Sequence, residues 1–189
     1  MAENKVQFGI KNVHYAVLTE TVTGGVVSYT YGTPVALPGA VTLTLDPAGD
    51  VEPFYADNIV YYNSVANNGY SGSLEMARYS DQFLQDIFGM TITTTGNVIM
   101  ENSQTEPKAF ALLYQIDGDQ SNECYALYNC TITRPGVGST TITETKTPQT
   151  QSADLTAAPR GDGLVFARTT DTTPTATKTG WFTSVYTGD

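Results

Sequence analysis

The order of apolar and polar positions predicts a chain built mostly of strands with one helix. From Tyr70 to Arg78 the side chains alternate, with Tyr70, Leu74 and Met76 on one face and Ser71, Ser73 and Glu75 on the other, the period of a half-buried strand. At Phe83 the spacing changes: Phe83, Leu84, Ile87 and Phe88 form one stripe at helical intervals. Ser80 is placed as N-cap, Asp81 falls in the first turn and Gly89 is the stop, so a short helix is expected over about 80–89. Val41 to Asp46 alternates in the same way, Val41, Leu43 and Leu45 against Thr42, Thr44 and Asp46. Near the N-terminus, Val6, Phe8 and Ile10 are followed by Val13, Tyr15 and Val17 after a one-residue phase change, which predicts a strand with a bulge or break near Lys11.

Breakers place the remaining boundaries. Pro47, Gly49 and Pro53 interrupt any strand and make Pro47 to Glu52 an exposed loop. TITTTGNVIMEN reads as a hairpin turning at Gly96-Asn97, and the stretch from Lys108 to Thr133 as a longer hairpin turning around Asp117-Gly118. The first arm of the latter, Ala109 to Leu113, is apolar throughout and is expected to be covered on both faces. Thr140 to Ala157, with Pro148 in its middle, reads as two edge strands, and Gly161-Asp162-Gly163 turns into a last strand at Leu164 to Arg168.

These segments, taken together from about Val6 to about Ala167, carry a family resemblance. The order and spacing of GTPVALPGAVTLTLDP, the block from Pro53 to Met90, EPKAFALLYQIDGD, YALYNCTITRP and PQTQSADLTAAPRGDGLV resemble the major tail, or tail tube, proteins of long-tailed bacteriophages with non-contractile tails. The resemblance implies an all-β fold, a β-sandwich or open barrel with one flanking helix. It also implies hexameric rings stacked into a hollow tube within the virion, assembled in the host cytoplasm. Such a tube encloses a tape-measure protein, meets tail-tip and terminator proteins, and later conducts DNA without binding it specifically. One domain over residues 1–168 is expected, with 1–5 as an N-terminal arm. The C-terminal 169–189 departs from the resemblance and reads as a linker, either disordered or docking Trp181 and Phe182 on a neighbour.

Composition adds bounds. A chain of 189 residues buries roughly 70% of its unfolded surface and needs no metal or disulfide to hold one core. Asp and Glu outnumber Lys and Arg by 19 to 9, giving −10 at pH 7, which disfavours wrapping nucleic acid, since phosphate affinity comes from basic side chains. It suits a wall past which DNA slides. The polar sides of the strands at 41–46 and 70–78, namely Thr42, Thr44, Asp46, Ser71, Ser73 and Glu75, are the candidates for that wall. Ring-to-ring contacts are expected from the N-terminal arm and from Pro47, Gly49, Asp50, Glu52, Phe54 and Tyr55. Alternation puts Cys124 and Cys130 on one strand face about 20 Å apart, too far for a disulfide. No export signal or apolar run long enough for a spanning helix is read, so membrane insertion is not expected.

Candidate chemistry is thin, and neither catalysis, a cofactor nor a metal is expected. His14 lies in a strand pattern between Val13 and Tyr15 without a triad context, and GYSGS at Gly69 to Ser73 has its second glycine one place too early for a nucleophile elbow. Asp57, Glu75 and Glu101 are carboxylates that a glycoside hydrolase would need to bring together. Asp117, Asp119 and Ser121 fit the start of a calcium loop, but Asn122 and Tyr128 stand where glycine and glutamate belong. Arg160-Gly161-Asp162 matches an integrin-type tripeptide and Asn129-Cys130-Thr131 a glycosylation acceptor; a turn and a strand account for them. Tyr55, Tyr61, Tyr62 and Tyr70 suit a subunit interface or, as the alternative, the stacking platform of a carbohydrate-binding or adhesin-like module.

Overall fold

A computed structural model describes residues 7–118, 122–141 and 147–188 of the chain. The N-terminal arm 1–5, Asp119 and Ser121 of the calcium-loop reading, and 142–146 within the Thr-rich segment lie outside the described residues. The fold is all-β with two short helices. In chain order the strands are β1 (Gly9–Thr23), β2 (Val26–Tyr31), β3 (Val35–Ala36), β4 (Ala40–Pro47), β5 (Val51–Ala56), β6 (Ile59–Val65) and β7 (Tyr70–Met76). After helix α1 (Asp81–Phe88) come β8 (Thr91–Ile92), β9 (Ile99–Met100), β10 (Phe110–Asp117), β11 (Cys124–Ile132), β12 (Gln151–Ala157) and β13 (Phe166–Arg168), then helix α2 (Thr175–Gly180).

One antiparallel sheet organises the molecule, in the order β2-β1-β10-β11-β12-β7-β4, with β3 beside β1 and β13 beside β11. The sheet curls until β1 and β4, far apart along this path, approach within 8 Å between Cα atoms. Its concave side holds the main core: Val13, Tyr15, Leu74, Met76, Phe110, Leu112, Leu127 and Leu155 pack there. Helix α1 plugs that side as its pattern predicts, burying Phe83, Ile87 and Phe88. The Ser80 hydroxyl accepts from the Phe83 amide at 3.2 Å, and Gly89 closes the helix at φ 62°. Phe83 stands edge-on to Tyr15 and to Phe110, and burying such a side chain contributes roughly 1.5–3 kcal/mol.

Bulges set which residues reach the core. In β1, Lys11 pairs with Gln115 but His14 with Leu113, so Asn12, at φ 53°, takes up the extra residue and both Ile10 and Val13 turn inward. This is the break expected near Lys11. In β11, Leu127 opposes Leu112 while Cys130 opposes Phe110, again one residue too many. The shift corrects the reading of the cysteines: Cys130 lies in the concave core and Cys124 on the opposite face, both buried free thiols. Val41 is likewise the extra residue where β4 steps from Ala40 to Thr42, and is half exposed rather than aligned with Leu43 and Leu45 in the core.

Three further expectations change. Gln151–Ala157 is an interior strand between β11 and β7, not an edge, because the chain returns from Pro148 directly into the middle of the sheet. Pro53 sits inside β5 opposite Asn63, in a hairpin that stands alone and needs no further partner for that position. The C-terminal segment packs on its own sheet: Trp181 is 3% exposed among Leu113, Cys124, Ala126 and Tyr128 on the convex side, and its Nε1 donates to the Tyr125 carbonyl at 3.1 Å. Tyr186 stacks on Trp181, and its carbonyl accepts from the Tyr128 hydroxyl.

Candidate functional site

The six polar residues assigned to the wall come together. Across the β4–β7 ladder Thr42 faces Glu75, Thr44 faces Ser73 and Asp46 faces Ser71, so all of them occupy the convex side of two adjacent strands. Pairing with β12 extends the patch, since Glu75, Ser73 and Ser71 also stand opposite Ser152, Asp154 and Thr156. Those last three are exposed while Ala153, Leu155 and Ala157, which alternate with them, are buried. The alternation in QSADLTA carries this signal, which the edge-strand reading of Thr140 to Ala157 hides. β4, β7 and β12 contain the acids Asp46, Glu75 and Asp154 and no Lys or Arg. The Glu75 carboxylate accepts from the Thr150 hydroxyl at 2.5 Å.

The residues assigned to stacking divide between a neck and a ribbon. Pro47 closes β4 opposite Tyr70. Ala48 donates to the Gly69 carbonyl and accepts from Asn68, both at 2.8 Å, and Asp50 accepts from Ala66 at 3.1 Å. Only 48–50 is loop, and it is tied down. Gly49 has φ 150°, and a Cβ there would lie 2.0 Å from the Ala66 carbonyl oxygen, so the neck closes only around glycine. Beyond it, β5 and β6 form a separate two-stranded ribbon whose turn, Asp57-Asn58, has positive φ at both positions, as a two-residue hairpin turn of the I′ kind requires.

This ribbon carries large apolar side chains on both faces. Phe54 opposes Tyr62 on one side with Ile59, while Val51, Val65, Tyr55 and Val60 lie on the other. Phe54, Tyr55, Tyr61 and Tyr62 are 62–71% exposed. At ~200 Å² per aromatic side chain these four show about 500 Å² to solvent over the two faces, within the ~300–600 Å² of a monomer's largest apolar patch, which is often functional. A lone two-stranded hairpin is at best marginally stable in water. The far end of the β1–β2 hairpin is a second exposed ribbon, with Val22, Val26 and Val27 outward.

The other candidates stay apart. The His14 Nδ1 lies 2.9 Å from the Asn12 carbonyl and its ring lies beside Phe182. Asp57 is in the ribbon turn, Glu75 in β7 with Thr150, and Glu101 beyond β9 with Arg134, so three elements with different partners hold these carboxylates. Asp117 pairs with Lys11, which holds its carboxyl below the usual range. Among the described residues no group of His, Cys, Asp and Glu side chains is placed to hold a metal ion. Tyr70 packs beside Phe166, away from Tyr55, Tyr61 and Tyr62. Asn129 is half buried, its amide directed at the Pro159 carbonyl.

Arg160 is 8% exposed and grips Asp162 through two hydrogen bonds. Its guanidinium lies 4.7 Å over the Tyr29 ring and donates to the Tyr31 hydroxyl. The pair holds Asp162 at about 2, well below its ordinary 3.8. An Arg-Gly-Asp sequence folded in this way fastens β2 to the turn before β13 and presents no free arginine. Comparison with protein-family models, with curated proteins and with solved structures finds no match for this chain.

Proposed function

We propose that this chain is a non-enzymatic structural subunit whose working form is a polymer, the tail tube of a long-tailed phage with a non-contractile tail. Copies join head to tail into hexameric rings, and the rings stack into a conduit. The tube encloses a tape-measure protein during assembly in the host cytoplasm, joins tip and terminator proteins at its ends, and in the virion passes DNA to the host. The observation that carries the reading is the β5–β6 ribbon, exposed on both faces and fastened to the body by a hydrogen-bonded neck. Such surface persists in a functional protein when a defined partner covers it.

The wall assignment has separate support. The convex patch of β4, β7 and β12 is small, polar and acidic, and it lacks the Lys and Arg that would hold phosphates by releasing counterions. A head-to-tail contact whose rotation closes gives a ring. Negative-stain microscopy and sedimentation over rising protein concentration test the proposal, with rings or tubes of regular axial repeat as the expected outcome. A protein that stays monomeric up to its solubility limit refutes it. The three exposed tyrosines of the ribbon sustain the second reading, a carbohydrate-binding module, which a glycan-array signal from that monomer would establish.

A further inference from the structure

The strand edges of β1 and β4 that face each other are not hydrogen-bonded to one another, and between them lies a cleft of about 460 Å³. Phe8, Ile10, Val41, Leu43, Leu45 and Tyr114 line it, and among the described residues no charged one does. Phe8 is 78% and Val41 49% exposed at its mouth. A cavity of about 150 Å³ accepts one benzene, so this volume has room for roughly three aromatic rings. The same chain presents a matching wedge: Phe54 and Tyr62 are directly opposed on one face of the ribbon, and both are more than 60% exposed, so the ribbon does not fill the cleft of its own molecule.

We infer that the Phe54–Tyr62 face of the ribbon in one copy seats in the β1–β4 cleft of the next. The described lining of the cleft is uncharged and the Phe54–Tyr62 pair is uncharged, with one acid, Glu52, beside it on the same face, so the apolar parts can meet although each chain carries −10. Phe54 and Tyr62, at 62% and 63% exposure, show about 250 Å² between them, roughly a third of the ~800 Å² that each partner contributes to a stable interface. Wedge and cleft are different surfaces, so the contact is heterologous: it leaves a free cleft at one end and a free ribbon at the other, and it propagates. The inference rests on the self-assembly reading above and specifies which surfaces make the contact.

Two surface variants test it. Phe54→Ser with Tyr62→Ser removes the wedge, and Phe8→Ser with Val41→Lys spoils the cleft. Each should raise the concentration needed for assembly at least tenfold, with circular dichroism and urea midpoint unchanged. Mixed one to one, the two variants should form a heterodimer and nothing larger, because one intact ribbon meets one intact cleft. In a second measurement, copies carrying Val41→Cys should form a disulfide with copies carrying Tyr62→Cys, and neither population with itself. If wild type assembles and the cleft variant assembles equally well, or if the mixture gives no heterodimer, the inference is overturned while the polymer reading stands. A wild type that never associates overturns both.

Discussion

Trp181→Ala is the sharpest test of how the convex side is closed. The indole is 3% exposed, it contacts the layer of Leu113, Cys124, Ala126 and Tyr128, and its Nε1–H satisfies the Tyr125 carbonyl. Truncating a buried Trp to Ala costs about 3–5 kcal/mol, and the lost hydrogen bond, worth about 1 kcal/mol, falls within that range. With a urea m-value of ~2 kcal/mol/M, the unfolding midpoint should fall by about 2 M.

A site-specific readout separates this from general weakening. Burial pushes the Cys124 thiol up and the Cys130 thiol up to about 12, so both should react slowly with a thiol reagent in the native protein. Trp181 covers only Cys124, so Trp181→Ala should speed reaction at Cys124 and leave Cys130, in the concave core, protected. A midpoint shift under about 0.5 M, or equal acceleration at both cysteines, refutes the closure. Docking on a neighbouring copy makes a different forecast: the midpoint loss caused by Trp181→Ala would disappear on dilution to the monomer. Closure within one chain keeps that loss in the monomer.

Other expectations are as direct. Gly49→Ala, whose Cβ meets the Ala66 carbonyl, should open the neck and speed amide exchange over 51–65 while β10 and β11 stay protected; unchanged exchange there removes the neck's role. Asp162 is depressed in the fold, so its stabilisation is complete above the ordinary 3.8 and disappears as pH falls through about 2; Asp162→Asn should flatten the melting temperature across that window, and an unaltered acid limb contradicts the pairing. Replacing Asp46, Glu75 and Asp154 by Lys should leave tubes intact but slow DNA ejection, with a salt-dependent affinity for DNA appearing in the subunit; unchanged ejection dismisses the wall assignment.

The parts of the fold that could be read from sequence are those fixed by local spacing. Helix α1 with its Ser80 and Gly89 ends, strands β7 and β10, and the turn at Gly161-Asp162-Gly163 each depend on side chains within a few residues of one another. The phase errors come from bulges, where one additional residue swings every later side chain to the other face: Cys124 and Cys130 are separated this way. Pro148 argued for an edge, although the strand begins only at Gln151. The isolated ribbon was hidden by Pro53, and its turn, Asp57-Asn58, lacks the glycine that usually signals such a hairpin. Trp181 reaches the sheet through tertiary contacts with residues more than fifty positions earlier, which no local pattern records.

The two sides of the sheet explain why the polar patch is where it is. Helix α1 fills the concave side, so every strand there needs an apolar inward face. On the convex side, β10 and β11 carry Leu113, Cys124, Ala126 and Tyr128, and the C-terminal segment covers them through Trp181. At β12 the convex residues change to Ser152, Asp154 and Thr156, and they stay polar through β7 and β4. One sheet face is therefore divided by sequence into a half that its own chain covers and a half left wet. Solubility alone would be served by any charged side chains on the wet half, yet its strands mix short hydroxyls and acids with no basic residue. A surface that must stay hydrated beside a polyanion requires that restriction, since each Lys or Arg added would release counterions and gain affinity for phosphate. The composition of this half-face thus argues for a passing anion more specifically than the net charge of the chain does.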